Sequence, residues 1–452
     1  MLGHAAARLA YGALLAERGK HEPAFRQFVR AARAGLPAAQ FRVGRSYLLG
    51  LGVPSCLAAA LQWLTRAGEG GDIEAQSLLA SLALQGITAN NQAGLFEPRR
   101  HHAGRPADHR TALHWARRAA AGGSAEAQAV LGYILTAGPA ELRDPDRGTA
   151  FYRQAAEGGS PQGKLGWALA LLRDGTDRDD ARVRDLLQEA AGAGLAAAHY
   201  TLGTIADGVE AHAAAAMHYR AGGELGHSTA QFRYGLALLA GRGVPRDPLQ
   251  GESWLRRAAL ADEKMAAAML GDLYARPGDP PPNYCEAAMW YLRAAEAGHV
   301  GAARALGQLY LRGDGFGADP PIAVRWLRLA AEAGDALAAY DLGLCCARGV
   351  GTARDTAAAR RWLKAAAEAL PDAQYWYGRM LAEDDAADLA EARGWFLRAA
   401  EAGNGDAAVA AGEMLINGRG GPADRAAAMA LFAHAAQAGH AGAKQALELV
   451  GT

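Results

Sequence analysis

The stretch Gly301 to Gly334, GAARALGQLYLRGDGFGADPPIAVRWLRLAAEAG, holds two helical patterns joined by a glycine-bearing turn. In the first, Ala302, Leu306, Gly307 and Tyr310 fall on one stripe of a helix with about 3.6 residues per turn. In the second, Ala323, Trp326, Ala330 and Ala331 form a matching stripe. The small alanines let two helices approach, and the indole is expected to fill the volume left between them. Helices of about a dozen residues are marginal alone in water. The stretch therefore predicts a helical hairpin that is stable only when stacked on neighbours.

The same beat runs along the whole chain. A terminator closing an Ala-rich second pattern recurs at Gly35, Gly71, Gly123, Gly159, Gly194, Gly226, Asp262, Gly298, Gly334, Leu370, Gly403 and Gly439. Six of the intervals after Gly123 are 36 residues, and only the step from Gly71 to Gly123, at 52, departs strongly. The tryptophans test this register independently. Trp63, Trp115, Trp254, Trp290, Trp326, Trp362 and Trp395 all lie eight residues before a terminator, and they are seven of the nine in the chain. They are read as structural aromatics of the repeat. The expected architecture is all-α, a right-handed superhelical solenoid of about twelve helix-turn-helix units running from residue 1 to 452. Residues 85–108 interrupt the third unit as a loop insertion, and 440–452 are expected to form a C-terminal capping helix.

The tracts GLGV at 50–53, GRGV at 241–244, GVG at 349–351 and GRGG at 418–421 sit where a first helix stops. A left-handed cap followed by a reversal needs residues that tolerate positive φ. They resemble phosphate loops superficially, but they follow helices, not strands, and no Gly-Lys-Ser/Thr completes them.

Taken together, the unit AxxxLGxxYxxGxGxxxDxxxAxxWxxxAAxxG is similar to the Sel-one-like repeat, a helical hairpin related to the tetratricopeptide repeat. The units ending at Gly71 and Gly334 match it nearly throughout, while those ending at Gly194 and Gly226 are shortened and lack the tryptophan. The resemblance implies an adaptor that assembles protein complexes, in bacteria often tied to envelope, exopolysaccharide, motility or host-contact systems. The expected function is a non-enzymatic scaffold binding a protein or peptide along a concave face, with a structural subunit of an envelope or exopolysaccharide assembly as the alternative.

On such an array the first helices line the binding wall. Positions three before and one after the glycine of the Leu-Gly pair are expected to point away from the buried stripe. They include Phe41, Arg45, Tyr200, Phe232, Arg304, Tyr340, Tyr375 and Arg379, with Tyr133, Asp272, Gln308 and Glu413 on the same rule. Arg233 joins Phe232 in one local concentration, and Trp376, outside the repeated tryptophan slot, joins Tyr375 and Arg379 in another. Aromatic residues and arginine are the usual anchors of protein interfaces.

Other chemistries find little support. Lys plus Arg and Asp plus Glu balance at 47 each, so no net field attracts nucleic acid or an anionic membrane surface. His101, His102, His109 and His114 suggest a metal, but no cysteine or carboxylate set lies at ligand spacing beside them, and neither metal nor other cofactor is expected. The chain has no HExxH, GxSxG or CxxC motif, so no catalytic residue is assigned. Four scattered cysteines and an opening broken by Arg8, Glu17, Arg18 and Lys20 point to a reducing, cytoplasmic setting without direct membrane insertion. The composition says nothing of oligomeric state.

Overall fold

The computed structural model of the chain describes residues 2–86, 107–175, 180–278, 280–384 and 388–451. These residues form α-helices and one 3-10 turn, Ala140–Leu142, and no strand. They gather into two compact units, Met1–Asp262 with fourteen α-helices and Glu263–Thr452 with eleven. Within each unit the helices alternate as first and second members of successive hairpins. Pro37–Leu49 pairs with Leu57–Glu69 in the first unit, and Val300–Arg312 pairs with Pro320–Glu332 in the second.

Local chemistry sets the ends of each helix. The Asp319 carboxylate accepts the Ile322 backbone N–H at 3.1 Å, and Pro320 opens the helix where no donor is needed. Asp144, Asp247, Asp355 and Asp424 cap other second helices in the same way. At the far end, the Gly334 N–H donates to Ala331 and the Asp335 N–H to Ala330. That wrap requires the left-handed backbone of Gly334, φ +92°, although nothing crowds its α-carbon. Asp262 stands in the same slot with φ +64°, a conformation that aspartate tolerates better than most residues. At Leu370 the chain omits the wrap and starts the next helix directly at Pro371.

The glycines between the two helices of a hairpin have two different duties. The first of each pair, such as Gly313 at φ +74°, ends the first helix. The second makes a close contact as well. A Cβ on Gly351 would lie 2.2 Å from the Pro320 carbonyl oxygen, and one on Gly243 would lie 2.1 Å from that of His212. Each turn thus rests on the beginning of the preceding hairpin's second helix, a stacking contact beyond the expected cap.

The core also corrects the expected role of the tryptophans. The side chain lying between paired helices is the residue just after each tryptophan. Leu64, Leu255, Leu327 and Leu363 are fully buried, whereas Trp63, Trp254, Trp326 and Trp362 are half-buried. A Cβ on Gly307 would come 2.8 Å from Leu327 Cγ, so the Leu-Gly glycine is the slot that receives this leucine. The same pairing joins Gly44 to Leu64, Gly343 to Leu363 and Gly378 to Phe396. The indoles reach further. Trp254 meets Tyr234 of its own hairpin edge to face at 5.1 Å, and its ring lies 3.0 Å from where a Cβ on Gly223, in the preceding hairpin, would be. Trp115, Trp290 and Trp395 are buried. The repeated indole is mortar between hairpins as much as within one.

Candidate partner-binding surface

The first helices present a wall of side chains, and the expected contact residues divide on it. Phe41 and Phe232 do not project outward: they are 7% and 8% exposed. Phe41 packs with Leu79 and Leu82 of the next hairpin's first helix, which closes over the position that a single isolated helix would leave open. Arg45 and Arg233 are exposed, while Tyr200, Arg304, Tyr340, Tyr375, Trp376 and Arg379 are half-buried. Tyr133 and Gln308 are half-buried, and Asp272 and Glu413 are exposed.

Several of these belong to a polar ladder joining consecutive first helices. Arg304 Nε donates to Asp335 Oδ2 at 3.1 Å, and Gln308 Nε2 donates to Asp341 Oδ2 at 2.9 Å. Further along, Asn404 Nδ2 donates to Asp372 Oδ1 at 2.7 Å. Burial raises the Asp341 carboxyl above the usual range, against the opposing hydrogen bond from Gln308 and the Arg304 charge. Arg304 and Gln308 therefore lock hairpin to hairpin, which leaves them poorly placed to anchor a partner.

The cluster centred on Trp376 has a different character. Arg348 and Arg379 place their guanidinium carbons 5.2 and 5.0 Å from the Trp376 ring centroid. Tyr375 meets Trp376 edge to face at 5.7 Å, and Arg379 also lies 6.0 Å from the Tyr375 ring. The Tyr340 hydroxyl lies beside the Trp376 indole, and its pKa is raised, mainly by burial. Two hairpins thus bring Tyr340, Arg348, Tyr375, Trp376 and Arg379 together across one stretch of wall. Arg379 also donates to Glu383 Oε1 at 3.0 Å, and an arginine stacked on an aromatic ring keeps its remaining N–H edges turned outward toward carboxylates or carbonyls. Arg348 was not legible as a member, because it sits in the last turn of Ala336–Arg348 and no sequence spacing links it to Trp376.

A second concentration lies in the first unit. The His227 ring stacks on Tyr200 at 4.7 Å, and its Nδ1 accepts the Ala230 N–H. Burial holds the His227 pKa down to about 4. His199 Nδ1 lies 3.4 Å from His218 Nδ1, and burial lowers both imidazoles. Among the described residues no group of three His, Cys, Asp or Glu side chains could hold a metal ion. His101 and His102 lie outside the described residues, as do residues 87–106 of the insertion; His109 opens the helix His109–Ala121 and His114 lies within it. Cys345 and Cys346 are buried free thiols, and burial pushes Cys345 up to about 11. No helix of the described residues is long and apolar enough to cross a membrane.

Comparison with known proteins agrees with this geometry. A protein of Neisseria meningitidis serogroup B is 31% identical over 253 residues, which are 49% of this chain and 51% of that protein. Chitin synthase regulatory factor 3 of Schizosaccharomyces pombe is 32% identical over 146 residues, 32% of this chain but 14% of that protein. The chain thus spans about half of the first relative's length and a small part of the second's. Among solved structures, a protective antigen of uropathogenic Escherichia coli displaying an SLR fold is 25% identical, with a TM-score of 0.61 over 94% of this chain and 90% of that one. The Sel1 repeat profile matches residues 37–72, 87–124, 125–160, 228–263, 264–299, 300–335, 336–369, 371–404 and 405–440. The longest stretch that it leaves out, 161–227, contains the two shortened units that lack the tryptophan, yet paired helices continue through it among the described residues. With more than half of its length in these matches, the chain belongs to the Sel1 repeat family.

Proposed function

We propose that the protein is a non-enzymatic scaffold that binds a protein or peptide partner along its first helices, with the Trp376 cluster as the principal anchor. The observation that carries this reading is the gathering of three half-buried aromatic rings, packed on one side against the core, and two arginines stacked on them at the first-helix surface. Such groups supply large contact area at small entropic loss and dominate the energetics of interfaces. Trp395 fills the repeated tryptophan slot of this hairpin, so Trp376 is an additional indole that packs partly against the core and leaves part of its ring at the surface.

A photo-crosslinking amino acid placed at position 376 and, separately, at the exposed Arg325 of a second helix tests the proposal in cells. The expected result is one dominant covalent adduct from position 376 and none of that mass from position 325. Equal adducts from both positions, or none from 376, would overturn it.

A further inference from the structure

A groove in the first unit, far along the chain from Trp376, has its own chemistry. It runs over the first helices Pro37–Leu49 and Ile73–Gln85 to the start of Ala125–Ala137, as an open depression of about 530 Å³. Phe41 and Leu78 form its apolar floor, Ser77 and Ser81 line one side, and Arg45, Glu74 and Glu126 reach it from three different helices. The burial that removes Phe41 from the outward-facing surface makes it the base of this groove.

The groove combines an apolar floor with unpaired charges of both signs. Arg45, Glu74 and Glu126 are all exposed, and none forms an ion pair with another described residue. In the second unit the half-buried Arg304 is instead tied to the next hairpin through Asp335. Two carboxylates and one guanidinium converge without neutralising one another, which leaves an acidic excess above an apolar floor. The serine hydroxyls can serve an extended backbone: Ser77 and Ser124 lie within 3.4 Å of each other, and Ser81 donates to the Ser77 carbonyl, leaving its lone pairs open.

From this arrangement we infer that the groove is a second, separate docking site for an extended polypeptide segment bearing a lysine or arginine, whose cationic head lies between Glu74 and Glu126. The aliphatic stem of that residue covers the half-buried Leu78 and the remaining edge of Phe41, the carboxylates take its charge, and Arg45 faces an acidic or carbonyl group of the same segment. The inference rests on the reading of the first helices as a polypeptide-binding wall, but it concerns a different part of that wall and the opposite charge preference.

A random dodecapeptide phage library panned against the full chain tests it. Selected peptides are synthesised and titrated by fluorescence anisotropy against the wild type, Glu74→Gln/Glu126→Gln and Trp376→Ala, with thermal melts to show that each variant folds. The expected result is enrichment of lysine or arginine in a family of peptides that lose about tenfold or more in affinity with Glu74→Gln/Glu126→Gln and keep it with Trp376→Ala. Peptides without basic enrichment, or with equal affinity for the double variant, would overturn the groove. Peptides that fail only with Trp376→Ala would do so while leaving the binding wall intact. Failure to select any binder would count against both.

Discussion

Gly351 stacks its α-carbon on the carbonyl of Pro320, the residue that opens the second helix of the preceding hairpin, so closely that a Cβ would stand 2.2 Å from the oxygen. Gly351 also has φ +69°, so its lack of a side chain serves both backbone sign and proximity. Gly351→Ala is expected to destabilise the second unit by about 2 kcal/mol or more, from left-handed strain of about 1–2 kcal/mol plus the displaced contact. Gly334→Ala, where nothing crowds the α-carbon, is expected to show the strain alone. Chemical denaturation of the two variants side by side separates these effects; equal losses would mean that the stacking contact contributes nothing.

Within one hairpin the corresponding test is Gly307. An added methyl would improve helix propensity by about 1 kcal/mol, yet it would meet Leu327 Cγ at 2.8 Å in a site with no free volume. Overpacking of this kind costs roughly 1–3 kcal/mol, so Gly307→Ala is expected to be net destabilising, and Gly307→Ala/Leu327→Ala to recover part of the loss of Leu327→Ala alone. Additive losses in denaturant titrations would show that the two residues do not share the slot.

The His227 cap makes stability depend on pH. Its Nδ1 accepts a backbone N–H only when the ring is neutral, and burial depresses its pKa from 6.5 to about 4. The folded chain binds this proton less readily than the unfolded chain, so the contribution is complete above about 6.5 and disappears as pH falls towards 4. At about 1.4 kcal/mol per unit, the full effect is roughly 3 kcal/mol. His227→Asn keeps a capping oxygen that does not titrate. Thermal melts from pH 7 to pH 4 should show a smaller fall for this variant than for the wild type, and parallel curves would exclude His227 as the source.

Much of the fold was legible because the repeat multiplies weak signals. The wrap at Gly334 and the cap at Asp319 each recur in hairpin after hairpin, so the terminator beat located helices that single-unit propensity would leave ambiguous. The legibility ended where one hairpin meets the next. Phe41 was expected on an open face because helix periodicity describes one cylinder, and only the neighbouring helix Ile73–Gln85 reveals that the position is covered. For the same reason Trp326 was credited with the space that Leu327 fills: adjacent positions on a helix differ by about 100° in direction, and both directions meet protein once hairpins stack. The union of Arg348 with Trp376 was hidden as well, since it depends on how two first helices lie side by side.

Whether the first-helix wall holds its partner at Trp376 is decided by the affinity of the partner recovered through crosslinking at that position. Titration calorimetry of the purified partner against the wild type and a Trp376→Ala variant that thermal melts show to be folded should show a loss of at least about tenfold, about 1.4 kcal/mol. Equal affinity of the two proteins would contradict the account.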